Sequence, residues 1–434
     1  MGSARGGSAP GGKNGLAPWR QLLLVAAALE GLGGAAGFAA LRPMGLVARG
    51  AGSGLPLQRG GAAERLGRKR AGPMGLQAVA GPKRQRAPLG EWLNKKAVAE
   101  VVVEEVRASL LGETEFGSFA VTTKEGRGKG SQVGGLKNQD STFAGMLSDS
   151  MGLFGVFDGH GEFGGEVSRY VAQNLPLKFA MIEDQLRQAK GNERRVYEVL
   201  NEIFSECHQE MIRKESGIEC FISGSTGLAV AAIKDGNEWR LIVSNAGDCR
   251  CVLAQSGWGG GVQATQLSND QTPDRLDERK RIEGLGGVIG MVDDTVDPPQ
   301  IIGVEDAVKK GVDLGPARVF WYEGAWEEPF NRFFPGLAMA RSFGDHCLDE
   351  LGVVPVPEIT LHTVKPRDRF FVIASDGVWQ VMSNEEVALC IAGQPDAATA
   401  SEQLVKTAAK RWDAQGAYRD DITCVVVAFK NAKK

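Results

Sequence analysis

The seven cysteines contain no CxxC pair, and all fall between Cys207 and Cys424. An odd number without framework spacing excludes a disulfide scaffold and fits a reducing compartment. The four histidines, His160, His208, His346 and His362, are too scattered for a zinc cage. A long apolar run is missing near the N-terminus: residues 22–29 are apolar, against the roughly 20 residues that a spanning helix needs. No stable membrane span is therefore expected. Acids are almost absent from residues 1–90, where Glu30 and Glu64 stand against thirteen Lys and Arg. The other 344 residues carry 37 basic and 51 acidic side chains, a net −14. That acidic body argues against a nucleic-acid groove and suits cation binding.

Residues 1–90 read as a basic presequence or disordered tail, rich in Gly, Ala and Arg. The short apolar run, the glycines after it and the basic stretch from Phe38 resemble a two-part plastid presequence. Delivery to an organelle, a plastid ahead of a mitochondrion, is expected, with the cytoplasm as the alternative. Residues 91–118 are expected to be a helical linker, because Val98, Val102, Val106 and Leu110 recur every four residues. Residues 119–431 form the folded domain. Its strand candidates include 152–157, 227–233, 370–375 and 422–429. The runs 239–243 and 249–253 flank Asn245-Ala246-Gly247-Asp248 and suggest a hairpin. Helical patterns lie at 164–181, 193–215, 275–284, 384–393 and 398–415. Strands clustered around helical blocks favour an α+β fold or layered sandwich over a doubly wound sheet.

Three short motifs are weighed and set aside. Gly159-His160-Gly161-Glu162-Phe163-Gly164 matches GxGxxG, but the acids about 20 residues later fall in a helical stretch. Cys207 to Arg213 matches Cys-x5-Arg, but the intervening residues lack glycine and follow a helical period. Gly344-Asp345-His346 resembles part of a dinuclear phosphatase signature whose accompanying Gly-Asn-His-Glu element is absent.

The acidic set carries more. Asp158-Gly159-His160-Gly161 closes one apolar run, Asp376-Gly377 closes another, and Asp420-Asp421 precedes a third. Carboxylates that converge repel one another unless a cation lies between them. A hard divalent cation prefers oxygen ligands. A carboxylate metal site used for water attack on phosphate is the leading reading.

Seven pieces occur in one order: Lys137-Asn138-Gln139-Asp140-Ser141; Val156-Phe157-Asp158-Gly159-His160-Gly161; Ser223-Gly224-Ser225-Thr226; Asn245-Ala246-Gly247-Asp248-Cys249-Arg250; Leu337 through Asp345; Ala374-Ser375-Asp376-Gly377-Val378-Trp379; and Asp420-Asp421-Ile422-Thr423. In these the chain resembles the metal-dependent protein serine/threonine phosphatases, protein phosphatase type 2C, from about residue 135 to 429. The resemblance implies a four-layer α-β-β-α sandwich of two antiparallel sheets flanked by helices. It implies two Mg2+ or Mn2+ ions and a weak third, with a bridging hydroxide that hydrolyses phosphoserine and phosphothreonine. Asp158 would bridge the two ions. The Gly159 carbonyl would join one, and Asp376 and Asp420 would hold the other. Asp140 would hold waters around them, Asp248 with Asp376 would bind the third, and His160 would be the general acid. Gln139 departs from the usual Glu. The family's phosphate-gripping arginine is not at its spacing, and Lys137 is the nearest cation. The expected partners are phosphoprotein substrates, with a monomer as the working unit. A catalytically inactive interaction module of the same fold is the alternative. The segment 290–335, with Asp293-Asp294 and several aromatics, corresponds to a flap beside the site.

Overall fold

The computed structural model describes residues 110–430 apart from 115, 128–137, 191, 294, 297–299, 312–313, 321–335 and 417. The presequence, the 91–109 part of the linker, Lys137 and the flap aromatics Trp321, Tyr322, Trp326, Phe330 and Phe334 lie outside the described residues.

Eleven strands make two antiparallel sheets. They are β1 (Leu110–Glu113), β2 (Gly117–Lys124), β3 (Ser141–Ser148), β4 (Met151–Phe157), β5 (Gly227–Asp235), β6 (Glu238–Ala246), β7 (Arg250–Ser256), β8 (Val262–Gln266), β9 (Glu358–Thr363), β10 (Asp368–Ala374) and β11 (Ile422–Phe429). The first sheet runs β1-β2-β11-β10-β7-β8 and the second β9-β6-β5-β4-β3. Helices α1 (Gly164–Ala189) and α2 (Glu193–Met211) cover the second sheet; α3 (Asn384–Ala392) and α4 (Ala397–Gln415) cover the first.

Strand alternation explains the layering, since successive side chains point to opposite faces. In β11, Val425 and Val427 face the space between the sheets with Phe154, Val230 and Phe371. Cys424 and Val426 face the other way, onto α4 with Leu404 and Trp412. A third apolar layer joins Leu153 and Ala231 to Leu175, Phe179 and Phe204 of α1 and α2. The expected α-β-β-α sandwich is what the chain forms.

Two expectations need correction. The linker is not helical over its described end, because β1 and β2 pair there, with Leu111 opposite Ala120. At Leu110, the one periodic position among the described residues, pairing with Val121 outweighs the helical spacing. The sheet thus begins at Leu110, ahead of the domain edge expected at 119. Nor do β6 and β7 form a hairpin. β6 pairs with β5 and β9, whereas β7 pairs with β8 and β10, so the connection crosses from one sheet to the other. Gly247 makes that crossing at φ +119, and an added Cβ would lie 2.7 Å from Thr226.

Candidate metal centre

The crossing places the acids. β3 and β4 are antiparallel neighbours, so Asp140, just before β3, and Asp158, just after β4, share one end of the second sheet. β10 and β11 do the same for Asp376 and Asp420 in the first sheet. Asp248 sits on the connection between the sheets. Five carboxylates thereby come together at one rim: Asp158, Asp376 and Asp420, to which the strand-end pattern pointed, and Asp140 and Asp248, which the resemblance implied.

Their mutual repulsion is visible in protonation. Burial, reinforced by Asp421 and Asp420, pushes the Asp140 carboxyl from 3.8 to about 8. Burial and then Asp140, Asp376, Asp420 and Asp248 hold Asp158 well above its ordinary range. Asp376 is raised in the same way, first by burial and then by Asp420. Burial and Asp270 carry Asp248 to about 6, with His160 opposing. The set is costly without positive charge, and it retains open valence. Asp140 Oδ1 and Asp248 Oδ1 are buried without a hydrogen-bond partner among the described residues. An oxygen-rich, partnerless donor set fits a hard divalent cation.

Neighbouring groups hold these carboxylates. Ser375 Oγ donates to Asp140 Oδ2 at 2.9 Å and accepts from Thr423 N at 3.1 Å, which ties the two sheets together at the rim. Asp158 N donates to Thr226 Oγ1 at 2.9 Å. Tyr418 OH donates to Asp420 Oδ2 at 2.9 Å, and Gln380 Nε2 donates to Asp376 Oδ2. Asp421 accepts from the backbone N–H groups of Gly126 (2.6 Å) and Gln139 (2.8 Å), so it anchors the strand approaches. Glycine is required at 159, where a Cβ would stand 2.3 Å from the Gly164 carbonyl oxygen and 2.6 Å from that of Gln139.

His160 lies two residues beyond Asp158. Its Nε2 is 2.7 Å from Asp345 Oδ2, which also accepts from Ser342 Oγ at 2.7 Å. Burial alone would lower the His160 pKa, but the Asp345 carboxylate outweighs it and the net shift is upward. His160 Nδ1 is buried and has no partner among the described residues. Asp345 was missed as a site residue, although Gly344-Asp345 lies within a motif piece. Ser375, Thr226 and Asp421 were missed in the same way. Lys137, the candidate phosphate grip, is outside the described residues.

A tighter acidic cluster lies elsewhere. Asp277, Glu278 and Glu358 have carboxylate oxygens within 4.8 Å of one another. Arg275 and Arg281 contact Glu278, and Arg341 Nη2 is 2.5 Å from it. Arg275 also binds Glu358 and Asp277. Three guanidiniums already balance three carboxylates, so this is an ion-pair network and not a cation site. The helix that carries Asp277 and Glu278 packs beside a small sheet of Val288–Asp293, Gln300–Ile302 and Arg318–Phe320.

Neither the dinucleotide reading nor the cysteine-phosphatase reading fits the fold. Gly159-His160 is a two-residue strand paired with Gly224-Ser225, and Glu183 and Asp184 lie inside α1. Cys207 is buried in α2, and burial pushes its thiol up to about 12, unlike an activated thiolate.

The family model for protein phosphatase 2C matches residues 120–298 and 317–414. The chain belongs to the protein phosphatase 2C family. "Probable protein phosphatase 2C 52" of Arabidopsis thaliana is 32% identical over 305 residues, covering 63% of this chain and 58% of the relative. "Probable protein phosphatase 2C 64" of Oryza sativa subsp. japonica is 33% identical over 281 residues, covering 64% and 58%. The chain thus spans less than two thirds of the length of these protein phosphatase 2C relatives. The fold agrees with the crystal structure of a serine-threonine phosphatase 2C from Toxoplasma gondii, at a TM-score of 0.55 and 20% identity. That likeness covers 76% of this chain and all of the other.

Proposed function

We propose that this protein phosphatase 2C domain is a metal-dependent protein serine/threonine phosphatase. The buried, partnerless oxygens of Asp140 and Asp248 among five converging carboxylates carry the reading. Asp158, the Gly159 carbonyl, Asp376 and Asp420 would hold two Mn2+ or Mg2+ ions; Asp140 would steady the water around them. Asp248 with Asp376 would take a weaker third. When bound, the ions would supply an acidified water as nucleophile and positive charge for the phosphoryl oxygens. The chain's own part is orientation and proton delivery. Ser375 and Thr226 fix Asp140 and Asp158 before any ligand arrives. Asp345 pins His160 Nε2 and favours the imidazolium, leaving Nδ1–H to protonate the departing serine or threonine oxygen. All five acids being present speaks for an active centre over an inactive interaction module.

The test is hydrolysis by the purified protein of p-nitrophenyl phosphate and a phosphothreonine peptide with Mn2+ or Mg2+, arrested by EDTA. A folded protein with no Mn2+-stimulated activity would leave the interaction module. Phosphoprotein substrates and a monomeric working unit belong to the same proposal. So does delivery by residues 1–90 to an organelle, a plastid foremost: a fluorescent fusion of those residues should leave the cytosol, and diffuse uncleaved fluorescence would count against it.

A further inference from the structure

The opposite end of the second sheet holds an under-compensated buried cation. Side-chain alternation in β6 sends Leu241 and Val243 between the sheets and Ile242 toward α1 and α2. Arg240 therefore lies on the helix-facing side, and its side chain is 10% exposed. Its Nη1 is 3.9 Å from Asp235 Oδ2, a loose contact. Its Nε and Nη2 are buried with no hydrogen-bond partner among the described residues. A guanidinium taken out of water with so little in return wants a counterion.

Space for one adjoins it. A cavity of about 440 Å³ is lined by Arg240, Arg187, Lys190 and Lys234, with Asp184 and Asp235 as the acids facing them. Four cations line it against two carboxylates, the reverse of the sign of the acidic body, although Arg187 also lies 3.8 Å from Glu183 and donates to Ser150 Oγ at 2.7 Å. The C-terminal end of α1 brings partial negative charge, and the N-terminal end of α2, three residues on, brings partial positive charge in return. Lys190 sits here at φ 44, one of two non-glycine described residues with positive φ; the other is Asp345, beside His160. Lys190 is the left-handed cap of α1, its N–H donating to the Arg187 carbonyl oxygen, and this fixes the residue at the cavity wall. A neighbouring cavity that shares Arg240 and Lys190 is lined also by Glu193, Asp235 and Glu238, so acids outnumber cations there and an anion belongs on the first side.

We propose that this cavity is a second, non-catalytic anion site, taking a phosphate dianion, free or on a small phosphorylated molecule, through Arg240 with Arg187, Lys190 and Lys234. It is independent of the metal centre. Arg240 and Ala246 lie at opposite ends of β6, about 20 Å apart at roughly 3.3 Å per residue. The volume exceeds what one phosphate needs, which leaves room for an attached sugar-sized group.

The experiment is calorimetric titration of the metal-free protein in EDTA, where the acidic rim repels phosphate. Inorganic phosphate, a hexose monophosphate and the unphosphorylated hexose are the three probes. Wild type and Asp158→Asn should bind one phosphate group saturably and alike, and the bare hexose should not bind. Arg240→Met should weaken binding at least about tenfold, the scale of one lost charge-assisted hydrogen bond. Lys190→Gly should do the same while relieving the left-handed backbone, so that its fold is secure even if Arg240→Met is not. Tighter binding of the hexose phosphate assigns the site to a small phosphorylated molecule; equal binding assigns it to phosphate itself. Absence of saturable binding in the wild type overturns the proposal. So does loss of binding in Asp158→Asn, or wild-type affinity in Lys190→Gly.

Discussion

Four of the five acids at the rim are each restrained by a neighbour, and the predictions at this scale separate proposed ligands from restraints. Asp158→Asn and Asp376→Asn should nearly abolish turnover, measured with saturating Mn2+, because each removes a donor from the proposed cation site. Ser375→Ala leaves every ligand in place but frees Asp140 Oδ2. It should weaken Mn2+ binding by about 10- to 100-fold, the usual cost of losing a supporting hydrogen bond, read by calorimetry and not by rate. His160→Ala should slow phosphopeptide hydrolysis by about 10²–10⁴ and p-nitrophenyl phosphate far less, since its phenolate leaves without a proton. Equal slowing of both would remove His160 from the acid role. Asp345 holds the His160 pKa up. Asp345→Asn should therefore let the imidazolium lose its proton at lower pH, moving the alkaline limb of the peptide pH–rate profile toward acid.

Elements decide where those residues meet. Gly247→Ala adds a Cβ at φ +119, 2.7 Å from Thr226. It should cost about 1–2 kcal/mol from the left-handed backbone, seen in a lower denaturation midpoint, and should displace Asp248. Most elements were legible in the sequence. The apolar runs ending in Asp158 and Asp376 announced β4 and β10, and the helical periods placed α2, α3 and α4 within a few residues. The β6–β7 connection was not, because an Asn-Ala-Gly-Asp turn obeys the same local chemistry whether the chain folds back within a sheet or steps to the other one. The strand at Leu110–Glu113 was misread for a related reason: its partner β2 is itself held in the sheet by β11, about 300 residues further along the chain. Among site residues, Asp158, Asp376 and Asp420 could be read because each closes or opens a visible apolar run. Asp345 could not, since its contact with His160 spans 185 residues.

At the scale of the whole molecule, the proposed metal binding would be coupled to stability through the rim acids. Burial and neighbouring carboxylates push Asp140 up to about 8 and Asp248 up to about 6 in the metal-free fold, both from 3.8. Between about pH 4 and 8 the folded chain thus binds more protons than the unfolded one. By linkage, the metal-free protein is stabilised at the low end of that window and loses this contribution as pH rises through it. In EDTA the denaturation midpoint should fall as pH is raised from about 5 to 8; with saturating Mn2+ the fall should be cancelled or reversed, because the cations replace the protons. A midpoint that rises over that range in EDTA would refute this account.

The rim draws Asp140 and Asp158 from one sheet and Asp376 and Asp420 from the other, so the gap between the sheets is also the gap between opposing carboxylates. The filling of that gap is aromatic: Phe154 meets Phe371 edge-on at 5.6 Å, and Phe119 meets Phe154 at 5.4 Å. These rings act as spacers, setting the jaw width of a calliper whose tips hold the acids. Phe371→Leu, on the spacer side, and Leu404→Ala, under α4, both thin a core, but only the first changes the jaw. Phe371→Leu should therefore weaken Mn2+ binding, while Leu404→Ala should lower stability by about 2–5 kcal/mol with affinity intact. Selection at this centre then reaches into side chains that no ion or substrate touches.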